Sequence, residues 1–333
     1  MNRYQEKTLN ITRRRFNTAA FGLASVAVAP KIAFADDKWP SRPIRVVVPF
    51  APGGANDLLG RAAAEGISKA LGVSVVVENK PGAGAVIGTD YVARAEPDGY
   101  TFLISAAGVI SNSMIRKVHY KDSDLVPVVM VGLAPSVVIA PANSPYNTLK
   151  EFVEGSKKGH GLHFSTAGTG STPHFVEGIL TTNYGAKLDL VPYKSGSESV
   201  SAVIGGQVDA TSEASIVVLP MVKSGKVKAL ACTWSERIKA YPELSTAAEQ
   251  GFPDIKIAHW AGVHAPKGVP DAILDKVAAG VDAAMKDPAN VKRFTEQGIE
   301  PVGGTRADFI KFCDEERARL GAVVKATGMH QDT

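Results

Sequence analysis

The sequence predicts an α/β protein of two lobes, each built on a mostly parallel sheet flanked by helices. Three observations lead there. An order of strand, Gly-rich turn and helix opens at Ile44 and returns at Leu162, and parallel strands need helical crossovers. Extended stretches follow each half, as a chain crossing between lobes requires. The C-terminal residues then carry helical periodicity with little strand propensity, so they must pack on a sheet formed elsewhere. A length of 333 residues fits about two domains. A hydrophobic fraction of 45% excludes a disordered chain, and 2 cysteines exclude a disulfide scaffold.

Residues 1–35 read as an export signal of twin-arginine type. Thr12-Arg13-Arg14-Arg15-Phe16 is the charged part and Ala33-Phe34-Ala35 the cleavage site. The apolar run between them, residues 19–29, is too short for a bilayer core that needs roughly 20 residues. A mature chain starting near Asp36 and located in a bacterial periplasm is expected. The segment holds Arg3, Lys7, Arg13, Arg14, Arg15 and Lys31 against Glu6 alone, so the rest of the chain is close to charge balance. That removes the electrostatic case for a nucleic-acid or anionic-membrane partner. No later stretch is long and apolar enough to span a membrane, so the mature chain is expected to be water-soluble.

Ile44–Val48 is a β-branched run between Pro43 and Pro49, followed by a Gly-rich turn and a helix whose apolar positions are Leu58, Leu59, Ala62, Ala63 and Ile67. Gly72 ends that helix. A strand over 73–77, a loop at 79–84, a helix over 86–95, a turn at Pro97-Asp98-Gly99 and a strand over 101–104 complete the first half. In the second, strands are expected over 162–165, 188–191 and 208–211, with helices from Pro173 to about Thr182 and through Ile204. Residues 137–140 and 255–264 read as extended crossings, and Thr148 caps a helix starting at Leu149. Helices are expected over 271–285, 289–297 and 306–327. Domain I then comprises 36–138 and 259–333, with domain II, 139–258, inserted between two crossings. Two lobes joined this way form a hinged clamp.

Two turns carry the chemistry. In Pro49-Phe50-Ala51-Pro52-Gly53-Gly54-Ala55-Asn56-Asp57, glycines between a strand's carboxyl end and a helix's amino end leave peptide N–H groups facing outward, backed by the helix dipole: an anion seat. Asp57 and Arg61, four apart, are expected to pair along the helix. The second turn, Ser165-Thr166-Ala167-Gly168-Thr169-Gly170-Ser171, stands at the equivalent place and offers hydroxyls and amides to a carboxylate. Ligands of open α/β sheets bind at such carboxyl ends. His174 is a ligand contact or a capping group. Ser105, Ala106, Thr211 and Ser212 are expected at the cleft rim, with Asp209 either facing a ligand amine or capping the next segment.

No nucleophilic elbow, phosphate loop or paired zinc-ligand motif is present, so no catalytic residue, cofactor or metal is assigned. His160 and His163 read as solvated loop residues. Cys232 reads as a small buried hydrophobe, and a bridge to Cys313 stays open.

Several of these segments resemble the Bug receptors, periplasmic substrate-binding proteins of tripartite tricarboxylate transporters. The shared motifs are Pro49-Phe50-x-Pro-Gly-Gly-x-x-Asp57 with Arg61, Asn79-Lys80-Pro81-Gly82-Ala83-Gly84, Pro97-Asp98-Gly99-Tyr100-Thr101, Gly168-x-Gly-Ser with His174 and Glu177, Val191-Pro192-Tyr193-Lys194, Gly205-Gly206-Gln207-Val208-Asp209 and Trp260-x-Gly262-x-x-Ala265-Pro266. The resemblance implies a Venus-flytrap fold of the periplasmic-binding-protein type. It implies that a small organic acid is held chiefly on main-chain amides and ordered water and delivered to membrane permease subunits; the chain is expected to be a monomer. It points to Phe50, Gly53, Gly54, Ala55 and Asp57 in one lobe and Ser165, Gly168, Thr169, Gly170 and Ser171 in the other. The sequence departs from the family at Gly108–Ser113, where His and Asn-Pro are usual, at Leu320, where Trp is common, and at Thr211-Ser212-Glu213, where an aromatic is usual. Glu213, if it faces the cleft, favours a ligand bearing an amine or hydroxyl over a second carboxylate. A periplasmic sensor and an α/β enzyme acting on a small acid remain the alternatives.

Overall fold

The computed structural model describes residues 39–330, and the predicted export signal lies outside them. The first half runs β1 (Ile44–Val48), α1 (Ala55–Leu71), β2 (Val75–Asn79), α2 (Val86–Ala93), β3 (Thr101–Ser105) and α3 (Ala107–Ile115). A long strand, β4 (Leu125–Pro141), leads to α4 (Leu149–Lys157), β5 (Leu162–Thr166), α5 (Thr172–Tyr184), β6 (Leu188–Pro192), α6 (Gly196–Ile204), β7 (Ala210–Ala214), α7 (Ser215–Lys223) and β8 (Val227–Cys232). The chain returns on β9 (Ala258–Pro266) and ends with α8 (Asp271–Lys286), α9 (Pro288–Glu296), β10 (Glu300–Pro301) and α10 (Arg306–Thr327).

The strand order is β2-β1-β3-β9-β4-β7-β5-β6, with β8 and β10 also on β4. Pairing is parallel within β2-β1-β3 and within β7-β5-β6, and antiparallel wherever β4 or β9 takes part. The expected short crossing at 137–140 is thus the end of a strand of 17 residues that serves both halves. Its register against β9 slips at Pro127/Val129 and at Met130/Gly132, the mark of bulges that twist a strand from one sheet into another.

α1 and α8 lie together on the first sheet, burying Leu59, Ala63, Ile67, Val277 and Val281 against Val46, Phe102 and Ile104. The second half has its own core of Phe152, Phe164, Phe175, Ile179 and Leu230. α10 touches both: Phe309 and Cys313 pack with Trp260 of β9, while Leu320, Val323 and Val324 join the core around Phe175. Trp260 is fully buried and donates from Nε1 to Glu316 Oε2 at 3.1 Å, with Arg319 closing the other side of that carboxylate. The indole thus finds the polar partner that its burial requires. Cys232 and Cys313 are both free and sit in different hydrophobic clusters, so the bridge left open by the sequence is not formed. Among the described residues, no helix is long and apolar enough to cross a membrane.

The α1–α8 contact depends on two glycines. A Cβ on Gly66 would lie 2.5 Å from Ala284 Cβ and 2.7 Å from Gly280 O. Helix propensity alone favours alanine over glycine by about 1 kcal/mol, but overpacking costs about 1–3 kcal/mol. Gly66→Ala is therefore expected to lower the urea midpoint. An unchanged or raised midpoint would show that the helices separate at little cost.

Candidate functional site

α1, α3 and α5 begin directly beyond the carboxyl ends of β1, β3 and β5. None of the three has a side-chain cap: Gly54, Ala106 and Ser171 precede them without a capping hydrogen bond. Thr148, Asp287 and Thr305 do cap α4, α9 and α10. α2, α7 and α8 also lack a side-chain cap, and a helix leaves its first amides without internal partners. Among the described residues, the N–H groups of Gly54, Ala55, Asn56, Ala107, Gly108, Thr172 and His174 have no acceptor. Each set is open to an anion at the positive end of its helix.

Not every amide expected in the seats is open. Gly53 N donates to Asp57 Oδ2 at 3.0 Å, Gly168 N to Thr166 Oγ1 at 3.3 Å, Gly170 N to His174 Nδ1 at 3.3 Å and Ser171 N to Gly168 O at 3.2 Å. Gly53, Gly168 and Gly170 have φ of 88°, 98° and 78°. Their role is to turn the chain where a side chain would be strained, and the open amides are those just beyond them. Thr169 and Ala167 are half-buried in the second turn, and Ser171 Oγ donates to Gly168 O at 2.7 Å.

Asp57 is buried at 3% exposure beneath the first turn. Its carboxylate accepts from Gly53 N, from Arg61 Nε at 3.0 Å and from Asn79 Nδ2 at 2.9 Å. Asn79 also donates to Phe50 O at 3.0 Å, so β2 holds the loop from below. Burial alone would raise the Asp57 pKa, but the hydrogen bonds from Arg61, Asn79 and the Gly53 amide outweigh it and hold the carboxyl below its ordinary range. The expected pairing with Arg61 is present, and Asp57 shapes the seat from inside. Ala51 is exposed and Phe50 half-buried at its mouth, while Asn56 Nδ2 donates to Trp260 O at 2.9 Å and ties α1 to β9.

Several residues expected at the rim lie elsewhere. Ser105 is fully buried and donates to Gly262 O at 3.0 Å, joining β3 to β9. Ser165 and Thr211, also fully buried, form a hydroxyl cluster with Ser199: Ser199 Oγ donates to Ser165 Oγ at 2.6 Å and Thr211 Oγ1 to Ser165 O at 2.8 Å. Ser212 is turned to Ser136. Asp209 is at the opposite end of the sheet, before β7 begins, where it accepts from His163 N at 2.7 Å. The reason is strand direction: in β7 the cleft end is at Ala214, so a residue preceding Ala210 faces away. His174 is a positioning group. Its Nδ1 accepts from Gly170, and burial lowers its pKa, so the ring is neutral.

Two features had no direct signal in spacing. Arg116, at the end of α3, donates from Nη2 to Thr169 O at 2.8 Å and from Nη1 to Ala83 O at 3.3 Å, linking the second turn to the loop before α2. Glu213 lies 3.2 Å from His259 Nε2 at the start of β9.

The family model described as tripartite tricarboxylate transporter family receptor matches residues 59–329. Protein BugT of Bordetella pertussis is 34% identical over 325 residues, covering 96% of this chain and 99% of BugT. The structure of the periplasmic binding protein BugD superposes with a TM-score of 0.78 at 33% identity, covering 88% of this chain and 100% of that one. MatC from Rhodopseudomonas palustris, solved with bound malate, gives 0.76 at 29% identity, covering 86% and 99%.

Asp57→Asn keeps the shape but weakens the acceptor that holds three donors, so a loss of about 1–3 kcal/mol at neutral pH is expected. Because the folded-state pKa is lowered, the stabilisation is present above the unfolded value, near 4, and is lost as pH falls through the folded value. Urea titrations of both proteins should therefore converge in acid. A constant gap across that range would overturn the assignment.

Proposed function

The chain belongs to the tripartite tricarboxylate transporter receptor family, and on that premise we propose that it is a periplasmic receptor. In this reading it captures a small carboxylate between its halves and delivers it, as a monomer, to membrane permease subunits. The family members compared are binding proteins rather than enzymes. The observation that carries the reading is the set of uncapped first-turn amides on α1, α3 and α5, all beyond the carboxyl ends of strands. They stabilise an anion by oriented dipoles, with no basic side chain required. The malate in MatC supports the choice of a carboxylate. Closure of two lobes on the ligand is the whole activity, driven by its higher affinity for the closed form.

Gly54 provides the cleanest test. Its φ is −82° and a Cβ there would meet nothing within 4 Å, so a side chain fits the fold. Aspartate is a better helix cap than glycine by a few tenths of a kcal/mol. Gly54→Asp should therefore leave the unliganded melting temperature unchanged or slightly higher while its own carboxylate occupies the seat. A bound acid at about 100 times its dissociation constant adds about 2.7 kcal/mol to the wild type, a shift of several degrees in thermal melting, and should add nothing to the variant. A wild type that responds to no member of a panel of mono- and dicarboxylates would refute the reading. Delivery is tested separately, by ligand uptake into vesicles carrying the permease with and without the receptor.

A further inference from the structure

Glu213 is the fourth residue of β7, one before the strand's carboxyl end. It lies in the cleft-side part of β7, opposite Val137 of β4. Its side chain is 12% exposed. One oxygen, Oε1, accepts from Ala214 N at 2.8 Å and lies 3.2 Å from His259 Nε2. That approach is not aligned as a hydrogen bond, and His259 Nε2 is buried without a partner. The other oxygen, Oε2, presses on Gly196, the first residue of α6, and leaves no room there for a Cβ. α6 is capped by Ser195, which accepts from Glu198 N at 3.3 Å. The amino end of that helix still abuts the Glu213 side chain. The helix start that could have held a second anionic group of a ligand is thus already covered by a carboxylate of the chain.

The position is tied to the first seat. His259 immediately precedes Trp260, whose carbonyl accepts from Asn56 in the first turn of α1. Burial drives His259 toward the neutral form, against the pull of Glu213. The pair therefore presents net negative charge, one oxygen without a donor and one ring nitrogen without a partner. A dicarboxylate seated on α1 would bring like charge toward it, whereas an ammonium or hydroxyl group would complete its hydrogen bonds.

We propose that Glu213, backed by His259, makes this protein selective for carboxylates whose far end is a hydrogen-bond donor, ammonium above all, over dicarboxylates. The proposal rests on the carboxylate-receptor reading. The malate-bound relative shows that the fold accommodates a dicarboxylate, so the selectivity is assigned to this side chain rather than to the architecture.

The test uses the mature protein and ligands matched in length: dicarboxylates, ω-amino acids, α-amino acids and plain monocarboxylates of three to six carbons. Affinities come from calorimetry after a thermal-shift screen. The wild type is expected to bind the best amino acid at least about tenfold more tightly than the dicarboxylate of equal length. Glu213→Gln is expected to lose at least tenfold for the amino acid and to gain for the dicarboxylate, reversing the order. Dicarboxylates bound as tightly as amino acids by the wild type would overturn the proposal while leaving the receptor reading intact. So would an order unchanged in the variant. If no carboxylate of any kind binds the wild type, the receptor reading fails and this proposal with it. The wild-type order alone decides the matter if Glu213→Gln does not fold.

Discussion

A helix started at the end of a parallel strand has amide groups that its own backbone cannot satisfy. In this protein some helix starts are capped by a side chain and others are left open. A threonine, serine or aspartate supplies the acceptor at α4, α6, α9 and α10, while α2, α7 and α8 have no side-chain cap. At α1, α3 and α5 the chain supplies glycine, alanine or a serine turned elsewhere. The missing acceptors amount to a demand for an anion, and the glycine turns deliver the chain to those helices without covering them. Asp57 shows how the demand is kept from being met internally. Its carboxylate lies only two residues past Ala55, yet Gly53, Arg61 and Asn79 hold it under the loop and away from the open amides.

The strands that cross between the halves also build the floor of the cleft. β4 and β9 run antiparallel side by side, and the side chains that organise the floor project from them or from their partners. Trp260 is the junction. Its indole is clamped by Glu316 and stacked edge-on against Phe309 and Phe312, at 6.0 and 5.3 Å between ring centroids, while its carbonyl holds Asn56. The start of α1 is thereby fixed to the crossing strand rather than to its own lobe alone. α10 extends this coupling, since one end packs on Trp260 and the other on the core around Phe175.

Much of this was legible in the sequence because Gly and Pro punctuate it so regularly. The starts of α1, α4, α5 and α10 and the strands β1, β5 and β6 follow from turns such as Pro52-Gly53-Gly54 and from caps such as Thr148. α3, α7, β8 and β10 were not read, and β4 was read only at its end. α3 carries Gly108, Val109, Ile110, Ser111, Asn112 and Ser113, all weaker helix formers than alanine, and is held by packing against its neighbours instead. α7 contains Pro220 within its span. β4 is interrupted on paper by Pro127, Gly132 and Pro135, which its bulges and edge positions absorb. At the site, the Gly-rich turns were found where the motifs placed them. The hydroxyls were not, because Ser105, Ser165 and Thr211 point beneath the rim, and the direction of a side chain at a strand end depends on the register of its neighbours.

The two halves do not offer equal seats. In the first, three successive amides, Gly54, Ala55 and Asn56, are open on one helix turn above a loop anchored by Asp57. In the second, Thr166, His174 and Gly168 consume the amides of Gly168, Gly170 and Ser171, and proline at position 173 removes one more donor from the first turn of α5. The half with more unsatisfied donors gains more from meeting a carboxylate. On the proposed reading the first half would be the stronger seat, with the second contributing shape and further hydrogen bonds. Arg116 fits that division. Two of its donors go to the carbonyls of Ala83 and Thr169, so it links the loop before α2 to the second turn.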